Sequence, residues 1–363
     1  MPTVHTVRGP IDTADLGRTL MHEHVFVLST EHQQNYGAGD WWDEEERVAD
    51  AVTKLNELKA LGIDTIVDPT VWGLGRYLPR VQRVAAQTEL NIVVATGLYT
   101  YDELPFQYAH RGPGTLIETP TDPMVEDFTR DVRDGIADTG VRAAFLKCAV
   151  EAKGLTPGVE RTLRAVAATH RETGAPITVH TSAAAQTGRL AVQVLREEGA
   201  DLTKVVIGHA GDSNDLDHLK ELADAGCILG MDRFGLDVYN PTGARVDTIV
   251  ALAEQGYADR MVLSQDASCY IDWFPGEART AMTEAMPNWN FTHVPQDVMP
   301  MLRGRGMSDG HLDQMLVQVP RRYVEQRVRR DGGRRAGGPR RGRRRRGRRR
   351  LPPGAPSPGR PAS

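Results

Sequence analysis

The sequence predicts an α/β protein, a (β/α)8 TIM-type barrel whose active site lies at the C-terminal ends of the strands. Eight short runs rich in Val and Ile alternate with stretches of helical period, the pattern of repeated βα units around a parallel sheet. Residues able to bind metal fall in or at the ends of five of those runs. No G-x-G-x-x-G follows the first run, which counts against a dinucleotide-binding fold.

The expected strands are 19–26, 65–70, 92–99, 143–150, 177–181, 205–211, 227–234 and 261–267. Between the first two, Val48, Ala51, Val52, Leu55 and Leu58 recur at helical spacing after an acidic start and before Gly62, so a core-facing helix is expected there. Similar patterns occupy 124–138, 158–173, 187–198, 214–225 and 244–256. Eight strands with crossover helices point to a closed barrel, although pattern alone leaves an open doubly wound sheet as the alternative.

A chain of 363 residues can bury a large core, and this length fits one barrel domain. No apolar run approaches the roughly 20 residues that span a bilayer, and MPTVHTVRGP lacks the charged and apolar regions of a leader, so a cytoplasmic location without membrane contact is expected. Cys148, Cys227 and Cys269 are too few and too scattered for a disulfide framework or a C-x-x-C zinc site. They read as reduced and structural.

The net charge of -4 conceals a division. Residues 321–363 hold 17 of the 44 basic residues and only Glu325 and Asp331 as acids, leaving a body with 46 acidic and 27 basic residues. The expected organisation is a barrel domain over 1–330 and a disordered arginine-rich tail over 331–363, which buries too little apolar surface to offset its ordering entropy. Such a tail is suited to nucleic acid or another polyanion, or is an extension without a partner.

His22 and His24 lie two apart in an apolar strand, so both project from one face and can share a metal ion. Lys147 sits inside FLKCAV, where burial favours the neutral amine. A neutral amine can add carbon dioxide, and the resulting carbamate can bridge two cations. His180 ends ITVHT, His209 ends VVIGH and Asp266 ends MVLSQD, and in a parallel barrel these ends share one mouth. Each residue singly has a structural reading, such as a hydrogen-bonded histidine pair or a lysine snorkelling to solvent; their company gives them weight. Imidazole and carboxylate suit zinc, manganese, cobalt or iron, and the ligand set does not rank them; zinc is the first expectation. Two divalent ions with a carbamate, a bridging hydroxide and ionised Asp266 leave about one positive charge, enough to stabilise a developing oxyanion while making water a nucleophile near neutral pH.

These motifs resemble the phosphotriesterase family of the amidohydrolase superfamily, and in particular its phosphotriesterase-like lactonases. The likeness covers about residues 3–325 through LMHEH, VDPTVWGLGR, GLYTYDELP, AAFLKCAVE, ITVHT, VIGHAGDSND, GMDRFGLD, LSQDASCYIDW and PRRYV, in that order. It implies that His22, His24 and Asp266 bind the more buried of two metals, that His180 and His209 bind the more exposed one, and that carboxylated Lys147 bridges them. It further implies a homodimer, Asp266 as acceptor of the proton from the attacking hydroxide, Asp212 and Arg233 as relay or loop-orienting residues, Tyr99 pointing at the metals and the lactone ring, and Trp273 lining the substrate pocket. For Asp212 and Arg233 the competing reading is a surface ion pair, and for Tyr99 and Trp273 it is packing.

Tyr99 and the brief link GLDVYNPTGAR after the seventh strand favour a lactonase acting on acyl-homoserine lactones or other γ- and δ-lactones, with side activity on phosphotriesters. The alternatives are a dedicated phosphotriesterase (an aryldialkylphosphatase) or other ester hydrolase, and a non-enzymatic polyanion binder acting through its tail. Val319 stands before Pro320 where the family often has Asn, and the tail has no family counterpart. Neither departure touches the ligand positions.

Overall fold

A computed structural model describes residues 1–37, 42–274 and 276–325; the arginine-rich tail lies outside the described residues. An antiparallel hairpin, β1 (Thr3–Thr6) and β2 (Gly9–Asp12), precedes the barrel. The remaining strands are β3 (Thr19–Leu20), β4 (His24–Val27), β5 (Thr65–Asp68), β6 (Asn91–Gly97), β7 (Phe145–Val150), β8 (Ile177–Thr181), β9 (Val205–Gly208), β10 (Ile228–Met231), β11 (Met261–Leu263) and β12 (Ser268–Ile271). Eight of these pair in the order β3-β5-β6-β7-β8-β9-β10-β11, each neighbour parallel. Met21 N–H donates to Leu263 O at 3.3 Å and joins the two edges, so the expected α/β barrel is the observed fold.

The first strand is a correction. A continuous strand over 19–26 is expected, yet β3 stops at Leu20, and β4 pairs in parallel with β12 as a separate two-stranded sheet. The break has a chemical cause in Glu23, which is fully buried and whose carboxylate accepts from Ser264 Oγ (2.8 Å), Gln265 N (2.8 Å) and Ala267 N (2.9 Å). A buried carboxyl group set against these three donors and Gln265 Nε2 (3.3 Å) ties the 264–267 segment to the barrel and interrupts the ladder. Burial pushes the Glu23 carboxyl up to about 8 against the opposing pull of these donors. Glu23→Gln puts an amide NH2 group among them. It is expected to lower stability by about 1–3 kcal/mol, read by urea denaturation of the metal-free protein.

Helices fill the crossovers. Glu44–Ala60 starts where Asp43 accepts from Glu46 N at 2.9 Å and buries Val48, Ala51, Leu55 and Leu58, as the spacing predicts. Pro123–Arg133, Pro157–Thr173, Gly188–Glu197, Leu216–Asp224 and Thr242–Glu254 match the other expected helices, the first ending before Gly135 rather than at 138. Leu78–Ala85, with a proline in its first turn, adds a crossover that periodicity did not reveal.

Alternation within the strands sorts side chains between two cores. Ile66, Ile92, Val94, Leu146, Cys148, Ile177, Val179 and Leu229 face the helices, while Val67, Val93, Ala95, Phe145, Val206, Ile228 and Val262 fill the barrel interior. Continuing the interior set by twos toward the C-terminal ends gives Lys147 after Phe145, and Asp232 two steps beyond Ile228. The parity that packs the floor of the barrel thus aims charged groups at its mouth. Gly97, at φ 143°, lets β6 approach here: a Cβ would fall 1.9 Å from Lys147 O. The three cysteines are free and buried. Among the described residues no helix is long and apolar enough to cross a membrane.

Candidate metal centre

His22, His24, Lys147, His180, His209 and Asp266, read from the sequence as one set, converge at the mouth of the barrel. His22 Nε2 lies 3.5 Å and His24 Nε2 3.3 Å from Asp266 Oδ1. Lys147 Nζ is 3.3 Å from His22 Nε2, and His209 Nε2 is 2.9 Å from His180 Nδ1 and 3.9 Å from Asp266 Oδ2. Three of the six do not sit on strands as expected, and His22 lies in the gap between β3 and β4. His209 and Asp266 follow the ends of β9 and β11 in left-handed conformations, φ 65° and 54°. Such geometry costs of order 1–3 kcal/mol for a residue with a side chain and persists only where neighbours enforce it. His209 N–H donates to Asp232 Oδ1 at 2.7 Å, Asp266 N–H to His22 O at 3.0 Å, and Trp289 Nε1–H to Asp266 O at 3.0 Å.

The partners on the far side of each imidazole fix its tautomer. Asp232, 1% exposed, faces His22 Nδ1 at 3.1 Å and His209 Nδ1 at 3.0 Å, so both Nδ1 atoms carry the proton. His24 Nδ1 lies 2.7 Å from Thr70 Oγ1, whose own proton goes to Asp68 Oδ1 at 2.5 Å; His24 is therefore also the donor at Nδ1. His180 is reversed, with Nε2 at 2.7 Å from Glu151 Oε1 and its proton there. Every ring thus turns a bare nitrogen inward, and the lone pairs of His180 Nδ1 and His209 Nε2 face one another at 2.9 Å. That contact is repulsive unless a cation lies against it, so the donor set fits divalent metal.

Protonation states agree with this. Burial holds His22 down to about 4, lowers His180, and puts His209 well below the ordinary imidazole value, so the rings are neutral near pH 7. Burial opposes charge on Asp266, but the neighbouring His22 and His209 rings, the contact with His24 and the Arg233 guanidinium outweigh it and hold the carboxyl well below the usual range. Lys147, 1% exposed, is brought by burial down to about 8. His22, His24 and Asp266 form one group with ligand atoms within 4.8 Å of one another; a second such group contains His22, His209 and Asp232. In the latter Asp232 faces the protonated Nδ1 atoms, and its place is behind the rings as their anchor.

Arg233 spans two acids, with Nε 3.0 Å from Asp266 Oδ2 and Nη1 3.1 Å from Asp212 Oδ2. Asp212 Oδ1 lies 2.6 Å from Nη1 of Arg245, a fully buried arginine on Thr242–Glu254. Asp212 and Arg233 are largely buried, so their pairing is not the surface ion pair that competed in the sequence. Tyr99, two residues past β6, donates to Glu151 Oε1 at 3.2 Å and stands edge-on to His180 at 5.3 Å between ring centroids. Trp273, 54% exposed, lines with Leu74, Leu236, Tyr239 and Trp289 a cavity of about 240 Å³ that opens above the metal-ligand residues.

Asp232, Glu151, Thr70, Asp68 and Arg245 are functional candidates that sequence reasoning missed. For Asp232 and Glu151 a signal existed, since each has the parity of the interior set: Ile228 to Asp232, and Lys147 to Glu151.

A parallel barrel whose mouth gathers neutral imidazoles, a carboxylate and a buried lysine defines the metal-dependent hydrolases. The profile of the phosphotriesterase family matches residues 2–324. A phosphotriesterase homology protein of Mycobacterium tuberculosis is 55% identical over 327 residues, covering 90% of this chain and 99% of its own length. An aryldialkylphosphatase of Saccharolobus solfataricus is 35% identical over 314 residues, covering 86% of this chain and 96% of its own. Among solved structures, that of a phosphotriesterase from M. tuberculosis superposes with a TM-score of 0.86 at 55% identity, covering 90% of this chain and 99% of that one. The chain belongs to the phosphotriesterase family, and it is a metal-dependent hydrolase.

Proposed function

We propose that the chain is a two-metal lactonase with side activity on phosphotriesters. The observation that carries the two-metal part is the set of four inward lone pairs grouped in two places around Asp266 and Lys147. His22, His24 and Asp266 would hold one divalent ion, His180 and His209 the other, and Lys147 as a carbamate would bridge them, with zinc the first choice of metal. Bound there, the ions would activate water and polarise the carbonyl or phosphoryl oxygen of the substrate.

The chain's own residues divide the remaining work. Asp266 accepts the proton of the attacking hydroxide, its Oδ2 already held by Arg233. Arg233 itself keeps its proton: burial disfavours the charge, but Asp266 and Asp212 beside it more than offset this. Its part is therefore to orient Asp266, with Asp212 and Arg245 as its support, rather than to relay a proton. Tyr99 and Trp273 shape the cavity on either side of the reacting group. A cavity walled by Leu74, Leu236 and aromatic rings favours a neutral substrate with an apolar arm, which supports an N-acyl lactone.

The aryldialkylphosphatase relative supports a second reading, in which a phosphotriester is the main substrate. Comparing kcat/KM across a lactone panel and an aryl dialkyl phosphate decides between them. The lactonase reading requires the higher values on lactones; a phosphotriester preference of orders of magnitude sinks it. A homodimer and a cytoplasmic location belong to the same proposal.

Carbamate formation requires the neutral amine of Lys147, which adds carbon dioxide at Nζ and releases one proton. With Lys147 lowered to about 8, the neutral fraction rises about tenfold per pH unit below that value and levels off above it. Metal reconstitution of chelator-treated protein at fixed dissolved carbon dioxide is therefore expected to speed up from pH 6 to 8 and then plateau. It is also expected to slow when carbon dioxide is removed, a dependence that stopped-flow recovery of activity reads directly.

A further inference from the structure

We propose that Glu151 is a positioning residue that couples the His180 side of the metal centre to Tyr99 in the pocket wall; this rests on the metal-hydrolase reading. One oxygen, Oε1, accepts from His180 Nε2–H at 2.7 Å and from the Tyr99 hydroxyl at 3.2 Å. His180 is buried, while Glu151 is 41% exposed at its side chain and reaches in from the residue after β7. The shared acceptor has two consequences. It holds the His180 ring with its proton at Nε2, which leaves Nδ1 bare toward His209. It also accepts the hydrogen bond of the Tyr99 O–H, so Tyr99 presents its remaining lone pair to the cavity as an acceptor. The pocket wall beside His180 is thereby set to receive a hydrogen bond, such as one from an N–H next to the scissile group.

Because both donors meet the same oxygen, glutamine can replace the carboxylate with its carbonyl, whereas alanine cannot. Three readouts on Glu151→Ala and Glu151→Gln test the proposal: chelator competition for each zinc equivalent, the separate values of kcat and KM on an N-acyl lactone, and the tautomer of His180 by 15N NMR on metal-free protein. In Glu151→Ala one of two zinc equivalents is expected to bind about 10–100-fold more weakly, KM to rise, and His180 to become a mixture of tautomers. Glu151→Gln is expected to recover most of each loss. Wild-type affinity and a single Nε2–H tautomer in Glu151→Ala would overturn the proposal, as would a glutamine variant that falls as far as alanine. If the wild-type protein binds no zinc, the hydrolase reading fails, while the metal-free tautomer measurement still decides the role of Glu151.

Discussion

Lys147→Ala is expected to purify with at most one firmly held metal per chain and to lose on the order of 10³-fold or more in kcat/KM. In the proposed centre the bridge would supply charge to both ions, and losing several kcal/mol of transition-state stabilisation costs a decade per 1.36 kcal/mol. Stability must be separated from chemistry here, because alanine also leaves a cavity at a residue only 1% exposed. Lys147→Met makes the separation: it fills a similar volume and removes an ammonium ion that is costly to bury. The metal-free methionine variant is expected to be at least as stable as the parent in urea while showing the same loss of metal and turnover. Lactonase activity surviving in either variant would remove Lys147 from the mechanism.

Asp232 carries the second large effect. Its two oxygens hold His22 Nδ1 and His209 Nδ1, so one substitution frees a ring at each of the two proposed metal positions. With about 10–100-fold in metal affinity for each orienting partner, Asp232→Ala is expected to weaken binding by roughly 10²–10⁴-fold, less if the two rings are coupled. Asp232→Asn offers one carbonyl oxygen and one NH2 group, so it can accept from one ring only and must oppose the proton of the other. Both zinc equivalents are expected to weaken in alanine and chiefly one in asparagine, as read by chelator competition. Two undisturbed equivalents in Asp232→Ala would show that the rings are held by packing instead.

What could be read in advance follows the range of the interactions concerned. Lys147 and His180 were legible because a strand's alternation is local, and because polar residues in apolar runs stand out. His22 and His24 were legible as a pair, although the strand assumed to carry both is broken at Glu23. The break depends on Ser264 and Ala267, more than 200 residues away, and no local pattern reports it. The same limit hid Asp232, whose partner His22 is 210 residues distant. The left-handed backbones of His209 and Asp266 were invisible for a related reason, since their strain is enforced by hydrogen bonds with Asp232, His22 and Trp289, all distant in sequence. For Asp212 and Arg233 only the geometry shows a guanidinium held between two carboxylates, and the orienting role proposed above rests on it.

Titration of metal-free protein with zinc, following lactonase activity against bound equivalents per chain, tests the two-metal reading most directly. Activity is expected to rise until two equivalents are bound and then to level. Full activity at one equivalent, or turnover indifferent to removal of metal, would contradict it.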